Sequence, residues 1–284
     1  MKRVAYGFSW GMAMGSWRST RDDIKVRYVS TSGKRVLLVE GPDDVEALGV
    51  LLTNKHPGWD VQWALTYAGK KDSVTKILGE EPTWVGVVDR DDWSEDRIAR
   101  ETSALPNLWV LPRFCLECYL INPREIWSAL PPVQQSKIVG GEGTLRSEIM
   151  VDFAKWLRHG ALWHTANPMW TGLRDQGFVS DLLEVQNAQD DAVILTILER
   201  WHAFLLPTDF MTRFHQRLNN SRRHTEDAQL CLDIHGKMFF NQHVVTTLNA
   251  LIRQNSADGW RRDLFNTLHV PPDFDTLWQK MGLT

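Results

Sequence analysis

Five carboxylates in this chain stand where their neighbours in sequence predict the ends of buried strands or the turns that come after them: Glu40, Asp44, Asp89, Asp91 and Glu117. Acids gathered in one cleft repel each other, and some are pushed up in pKa unless a cation compensates them. Hard oxygen ligands with no His or Cys among them select Mg²⁺ or Mn²⁺ over Zn²⁺. Two such ions about 3.5 to 4 Å apart can activate a water and stabilise the leaving oxygen of an in-line phosphoryl displacement. That is phosphodiester hydrolysis without a protein nucleophile. The alternation Asp89-Arg90-Asp91 suits the task, because in extended chain residues two apart point the same way while Arg90 turns aside.

The elements that must position these acids read as alternating strands and helices. RVLLVE, from Arg35 to Glu40, is a continuous apolar run ending in an acid, the pattern of a strand buried on both faces of a parallel sheet. A helix is expected next over GPDDVEALGVLLTN, with Asp43 as its N-cap and Val45, Leu48 and Leu52 on one stripe. Strand WDVQWAL, helix KDSVTKIL, strand WVGVVD, a charged helix around SEDRIARE and strand LWVLP complete the series. Such alternation predicts an α/β fold built on a parallel four-stranded sheet flanked by helices. In open sheets of that class ligands collect beyond the carboxyl ends of the strands, where the acids fall.

From Pro123 onward helical stripes replace the strand signal. One joins Leu145, Ile149, Phe153, Trp156 and Leu157; another joins Val193, Ile194, Ile197, Trp201, Phe204 and Leu205, with Gly160 and Pro207 as their expected stops. The expected organisation is a lead-in over 1–34, the α/β core over 35–122, a helical insertion over 123–234, and C-terminal helices over 235–284 that pack back on the core. The segment around Arg217 to Asp227 is polar and basic, with little structural signal. The tail predicts two short helices, the last starting near Asp273.

With 284 residues, 43% hydrophobic and 24% charged, the composition is that of a folded globular chain, neither disordered nor low in complexity. A net charge of −3 argues against a surface that is one nucleic-acid patch and leaves room for local basic strips. No apolar run reaches the roughly 18 residues of a membrane span, and the N-terminus lacks a secretion-signal core, so a cytoplasmic location and no membrane partner are expected. Three cysteines in a chain of this length fit a reducing compartment.

VLLVEGPDDVEAL resembles the glutamate motif of Toprim domains, and VVDRDDW resembles their Asp-x-Asp motif, one βαβ passage apart. The resemblance is strongest to the OLD nuclease branch, and within it to standalone Toprim effectors of bacterial anti-phage systems. It covers 35–122, and 235–252 more thinly. It implies a Rossmann-like Toprim fold and a Mg²⁺- or Mn²⁺-dependent nuclease using one or two ions. In that branch a further acid comes after strand four, here Glu117 in PRFCLECYLINP, and a lysine comes later, here Lys237 in HGKMFF. Carried over by position, Glu40, Asp44 and Glu117 hold one metal or its water, Asp89 and Asp91 hold the second or share a bridge, and Lys237 stabilises charge on the phosphate. Where the branch often has Ser, this chain has Cys115. The implied substrate is RNA, with tRNA among the candidates, or DNA. No G-x-x-x-x-G-K-[S/T] is present, so the ATPase sensor that the resemblance implies is a separate chain.

Each residue also has a plainer reading. Asp44 is placed to satisfy a helix dipole, Asp92 to be a solvated acid at a helix start, and Glu117 to pair with Arg113 on a helical turn. Cys115 and Cys118 form one C-x-x-C with no partner set for zinc. His159 and His164 flank Gly160 in what reads as a loop, and His235 reads as structural or exposed. Lys70, Lys71, Arg217, Arg222 and Arg223 are candidate backbone contacts for nucleic acid, beside other basic pairs such as Arg261-Arg262. The apolar and Trp content of the helical region exceeds what a modest subdomain buries, which predicts a homodimer through it. Competing functions are a non-enzymatic Mg²⁺-binding receiver-like module and a metal-dead nucleic-acid-binding subunit.

Overall fold

Four short runs of buried apolar residues build the sheet. β1 (Arg35–Val39), β2 (Trp63–Tyr67), β3 (Val85–Val88) and β4 (Leu108–Val110) align in the order β2-β1-β3-β4. In the computed structural model, which describes residues 16–175 and 190–283, all strands run parallel. Arg35 to Val39 pair with Trp63 to Tyr67, and Leu37 and Leu38 pair with Val85 and Gly86. Val36 to Val39 are wholly buried, as a central strand covered on both faces requires. The α/β class and the parallel four-stranded sheet expected from the alternating pattern are what the chain adopts.

The crossovers are helices: α2 (Pro42–Lys55) between β1 and β2, α3 (Lys71–Glu80) between β2 and β3, and α4 (Glu95–Ala104) between β3 and β4. Gly86 shows how closely α3 sits on the sheet, since a Cβ there would run into Leu78 and Val74. The N-cap of α2 is Gly41, not Asp43: the Gly41 N–H donates to the Asp44 carboxylate at 2.9 Å, so the acid at the third helical position closes the turn from inside. The strand expected from Trp59 begins only at Trp63. Gly58, with φ 86°, turns the chain into a 3₁₀ turn over Trp59–Val61 first.

The lead-in carries structure that its sequence period does not announce. α1 (Trp17–Ile24) is capped by Ser16 and continues through a π-turn to Ser30. Its hold on α3 is mostly ionic, with Arg21 on Glu80 and Lys25 on Glu81 at 2.6 Å, which explains the missing apolar stripe. Residues 1–15 of the expected lead-in lie outside the described residues, as do 176–189 of the expected insertion.

By contact density the chain divides into two compact units. Of the described residues, the first comprises those up to Val88 with 100–109 and 275–283; the second comprises those within 89–99 and 110–274. In the first, the Asp275–Met281 helix buries Leu277, Trp278 and Met281, and the Met281 carbonyl accepts from Arg35 at 3.2 Å. In the second, the described elements other than Val110 of β4 are helices and the turns between them. The stripe from Leu145 to Leu157 spans two helices, Gly141–Ile149 and Phe153–Asp175, broken at Asp152, whose φ of 58° no helix continues through. Gly160 does not stop the second helix, which runs on through His159 and His164. A Cβ at Gly160 would strike the Asp233 carbonyl oxygen, so this glycine serves close approach of two backbones. The Asp191–Phe204 helix ends three residues before Pro207, which opens the Pro207–Ser221 helix. That helix contains Arg217, so the basic segment is not the unstructured stretch expected. No helix among the described residues is long and apolar enough to cross a membrane.

Candidate functional site

Glu40 is the first residue beyond β1 and Asp89 the first beyond β3, and these strands are parallel neighbours. In the first unit Glu40 is half-buried, with the Lys71 ammonium 4.0 Å from its carboxylate. The exit of β2 is tied to the same place, because Gly69 N–H donates to the Glu40 carbonyl at 2.8 Å. Lys71, read from sequence as a nucleic-acid contact, thus faces the strand-end acid; Lys70 beside it is exposed. Asp44 is engaged with Gly41, as its structural reading required.

In the second unit Asp89, Asp91 and Glu117 share the surroundings of two buried cysteines. Cys115 and Cys118 lie Sγ to Sγ at 3.8 Å, in thiol contact without a bond. The Cys115 thiol is pushed up in pKa by that contact, by burial, and by the charges of Glu117 and Asp89, so it is inert as a nucleophile. Asp91 takes a left-handed φ of 49°, tolerated by Asp and Asn more than by other side-chain-bearing residues, and its N–H donates to the Phe114 carbonyl at 2.9 Å. Glu117 sits on a 3₁₀ turn, Leu116–Tyr119, and is 7% exposed. It does not pair with Arg113. Arg113 instead makes a two-pronged bond to Glu125 at 2.7 and 2.6 Å and donates to the Cys118 carbonyl at 3.0 Å, which fixes the loop that carries Glu117. The cations nearest Glu117 are Arg261 at 3.8 Å and Lys237 at 4.0 Å. Lys237 therefore reaches the late acid from 120 residues away in sequence.

Arg261 is the partner that sequence reasoning undervalued. It entered only as one of several basic pairs, yet its side chain is 11% exposed between Glu117 and Asp258. Asp92 differs from expectation too: it is not a solvated acid but is held by His164 Nδ1 at 2.5 Å and by the Asn167 amide at 2.7 Å. Burial, the largest single influence, raises its pKa, but the bonds and charges of His164, Asn167 and Arg217 together outweigh it and hold the carboxyl below its ordinary value. Neither partner is legible locally, because both lie more than 70 positions away on the Phe153–Asp175 helix. His235 is structural: Nδ1 accepts from Met238 N–H at 3.2 Å, and burial pushes its pKa down to about 4.

A second polar network joins Ser221, Asp233 and His224, the buried Asp233 accepting from the Ser221 hydroxyl at 2.9 Å and lying 2.6 Å from His224 Nδ1. The carboxylate stands in the middle of this trio, so no imidazole activates the serine, and the arrangement is not a nucleophilic triad. Arg217, 4.0 Å from Asp233, belongs to the rim of the same network, while Arg222 caps its helix and is exposed.

The donor chemistry of the strand-end acids is that of a magnesium or manganese site, all hard oxygen. Their arrangement is not a ready cage: among the described residues no three His, Cys, Asp or Glu side chains form a group that could hold a metal ion. Glu40 has Lys71 beside it, and Glu117 has Arg261 and Lys237, so ammonium and guanidinium groups supply the compensating charge. Comparison with family models, with curated proteins and with solved structures finds no match to this chain.

Proposed function

We propose that the chain is a Toprim-type phosphodiester hydrolase acting on RNA, with tRNA as one possible target, or on DNA, as the effector of an anti-phage system held in check by a separate ATPase sensor. The observation that carries the reading is the delivery of Glu40 and Asp89 at the carboxyl ends of two adjacent parallel strands, where sheets of this class present their ligands. The meeting of Glu117 with Lys237 adds support, since two residues implied by resemblance alone turn out to be neighbours.

A divalent cation, Mg²⁺ or Mn²⁺, would supply water activation and charge neutralisation when bound. By resemblance, Glu40 and Asp44 of the first unit and Asp89, Asp91 and Glu117 of the second are the residues that would hold one or two such ions; a cation at Glu40 would compete with Lys71, and one at Glu117 with Arg261 and Lys237. Lys237, with a half-exposed side chain, is the cation able to turn from Glu117 toward a phosphate.

The test pairs metal binding with cleavage. Titration calorimetry with Mn²⁺ on wild type, Glu40→Gln, Asp89→Asn and Asp91→Asn should show heat that the variants lose, Asn being chosen at 91 because it tolerates the left-handed backbone. Incubation with tRNA and with plasmid in Mg²⁺ or Mn²⁺ should show cleavage by wild type alone, and toxicity on expression should disappear with the same substitutions. Cleavage that persists in Glu40→Gln and Asp89→Asn would remove the assignment.

A further inference from the structure

The turn after β3 holds Asp91 on a backbone that residues with side chains rarely adopt. Trp93 N–H donates to the Arg90 carbonyl at 3.2 Å and closes a four-residue turn, inside which Asp91 has its left-handed φ of 49°. A residue other than glycine keeps such a conformation only where its surroundings over-determine it. Resting on the hydrolase reading and naming what sets the geometry of its site, we propose that His164, helped by Asn167, is a positioning residue that holds Asp91 in place through Asp92.

Asp92 is gripped at both carboxylate oxygens. Oδ1 lies 2.5 Å from His164 Nδ1, and Oδ2 accepts from the Asn167 amide at 2.7 Å. The two donors stand three positions apart on the Phe153–Asp175 helix, hence on one face of it, so a single element fixes the residue next to Asp91 at two points. The same imidazole meets the other support of Asp91. Asp91 N–H donates to the Phe114 carbonyl at 2.9 Å, and the Phe114 ring stands edge to face with His164, their centroids 4.8 Å apart. Phe114 is itself tied, its N–H donating to the Cys231 carbonyl at 2.8 Å. His164 therefore touches the chain neighbour of Asp91 on one side and the residue that accepts its N–H on the other.

The second ring nitrogen shows how His164 acts. A carboxylate only accepts, so Nδ1 carries the proton shared with Asp92. Nε2 is buried without a hydrogen-bond partner among the described residues, and the side chain is 1% exposed. A nitrogen that reaches neither solvent nor a partner hands no proton to a substrate, so His164 works through Asp92 and not on the reacting atoms. Stability alone does not call for this arrangement, because well-packed apolar side chains often match or better a buried charged pair. What apolar side chains cannot do is fix the direction of a carboxylate and, with it, the turn. Asp91 is the second acid of the Asp-x-Asp motif, and a misplacement of about 1 Å in a reaction site can cost about 100-fold in rate.

Hydrogen exchange at the Asp91 amide, read by NMR on the metal-free full chain, tests the assignment without calling on any activity. His164→Leu fills similar space and removes the donor, whereas His164→Asn keeps an amide nitrogen near the place of Nδ1. Exchange at Asp91 should quicken about tenfold in His164→Leu and return toward the wild-type rate in His164→Asn. The Leu268 amide, bonded at 2.8 Å to the Leu264 carbonyl in the same unit, should exchange as in wild type throughout. Asn167→Ala spares the ring packing, should quicken Asp91 less, and decides the matter where His164→Leu does not fold. An Asp91 rate unchanged in whichever of these two variants folds, equal quickening at Leu268, or no recovery in His164→Asn would overturn the assignment. In cleavage assays His164→Leu should lower kcat about 100-fold at unchanged KM, with most of the loss restored in His164→Asn; a raised KM at unchanged kcat would also overturn it. The hydrolase reading is judged separately by Asp91→Asn. If that variant cleaves as wild type does while His164→Leu still quickens exchange at Asp91, the positioning stands and the reaction site lies elsewhere.

Discussion

A carboxylate that is nine-tenths buried needs opposing charge, and Glu117 has it from Arg261 at 3.8 Å and Lys237 at 4.0 Å. The two cations are not equivalent, because the Arg261 side chain is 11% exposed and that of Lys237 54%. Breaking a buried pair strands the remaining charge, so Glu117→Gln should cost about 3 kcal/mol in urea unfolding. Lys237→Gln, acting on a solvated partner, should cost less than about 1 kcal/mol. Equal losses would mean that Lys237 carries a structural burden that its exposure hides. His235 makes a different prediction from the same unit. Its folded pKa of about 4 lies below the 6.5 of an unfolded histidine, so between those values the unfolded chain binds the extra proton. Stability should therefore be complete above pH 6.5, fall as pH drops toward 4, and lose nothing more from this group below that. The carrier of that slope can be isolated by subtraction: His235→Asn keeps an N-cap side chain and should flatten the pH dependence of the urea midpoint. An unchanged slope would assign it to His56 and His159, which burial also pushes down.

At the scale of elements, Gly160 shows why local sequence misleads. Mid-helix Gly→Ala gains about 1 kcal/mol where nothing opposes the methyl group, but here the Asp233 carbonyl occupies its place. Gly160→Ala should instead destabilise the protein by about 1 to 3 kcal/mol, the ordinary cost of overpacking, read as a lowered urea midpoint. A raised midpoint would mean that the helix and Asp233 are not in contact. The strands were legible because burial on both faces leaves an uninterrupted apolar run, as in Val36 to Val39 and Val85 to Val88. Their order and the acids at their ends came from that pattern and from the motifs. What stayed hidden depends on partners far along the chain. The capping of α2 passes to Gly41 because Asp44 reaches back to it, α1 is held by charge and not by a stripe, and Gly160 reads as a stop only until Asp233 is known to lie against it. Asp92 and Arg261 were misjudged for the same reason, since His164 and Glu117 lie 72 and 144 positions from them.

At the scale of the whole molecule, the helical region leaves large apolar side chains in water. Of the stripe on the Asp191–Phe204 helix, Ile197 and Trp201 are buried against Leu173 with Phe204 partly so, whereas Leu195 and Leu198 on the same helix are 57% and 44% exposed. Trp170, Leu205 and Met211 are exposed as well, and they line an apolar cavity of about 420 Å³ with Met169 and Phe210. Exposed apolar surface is costly to leave in water, and at about 25 cal/mol per Å² its burial is the main gain available from association. We propose that a second copy of the chain covers it, as the high apolar and Trp content of this region implied. Light scattering coupled to size exclusion should then give twice the 32.7 kDa chain mass. The variant Leu195→Glu/Leu198→Glu, which adds charge at exposed positions and leaves Ile197 and Trp201 in place, should give the single-chain mass with an unchanged far-ultraviolet spectrum. Wild type that elutes as a monomer at all concentrations would refute the dimer, and the exposed side chains would then need a different partner to account for them.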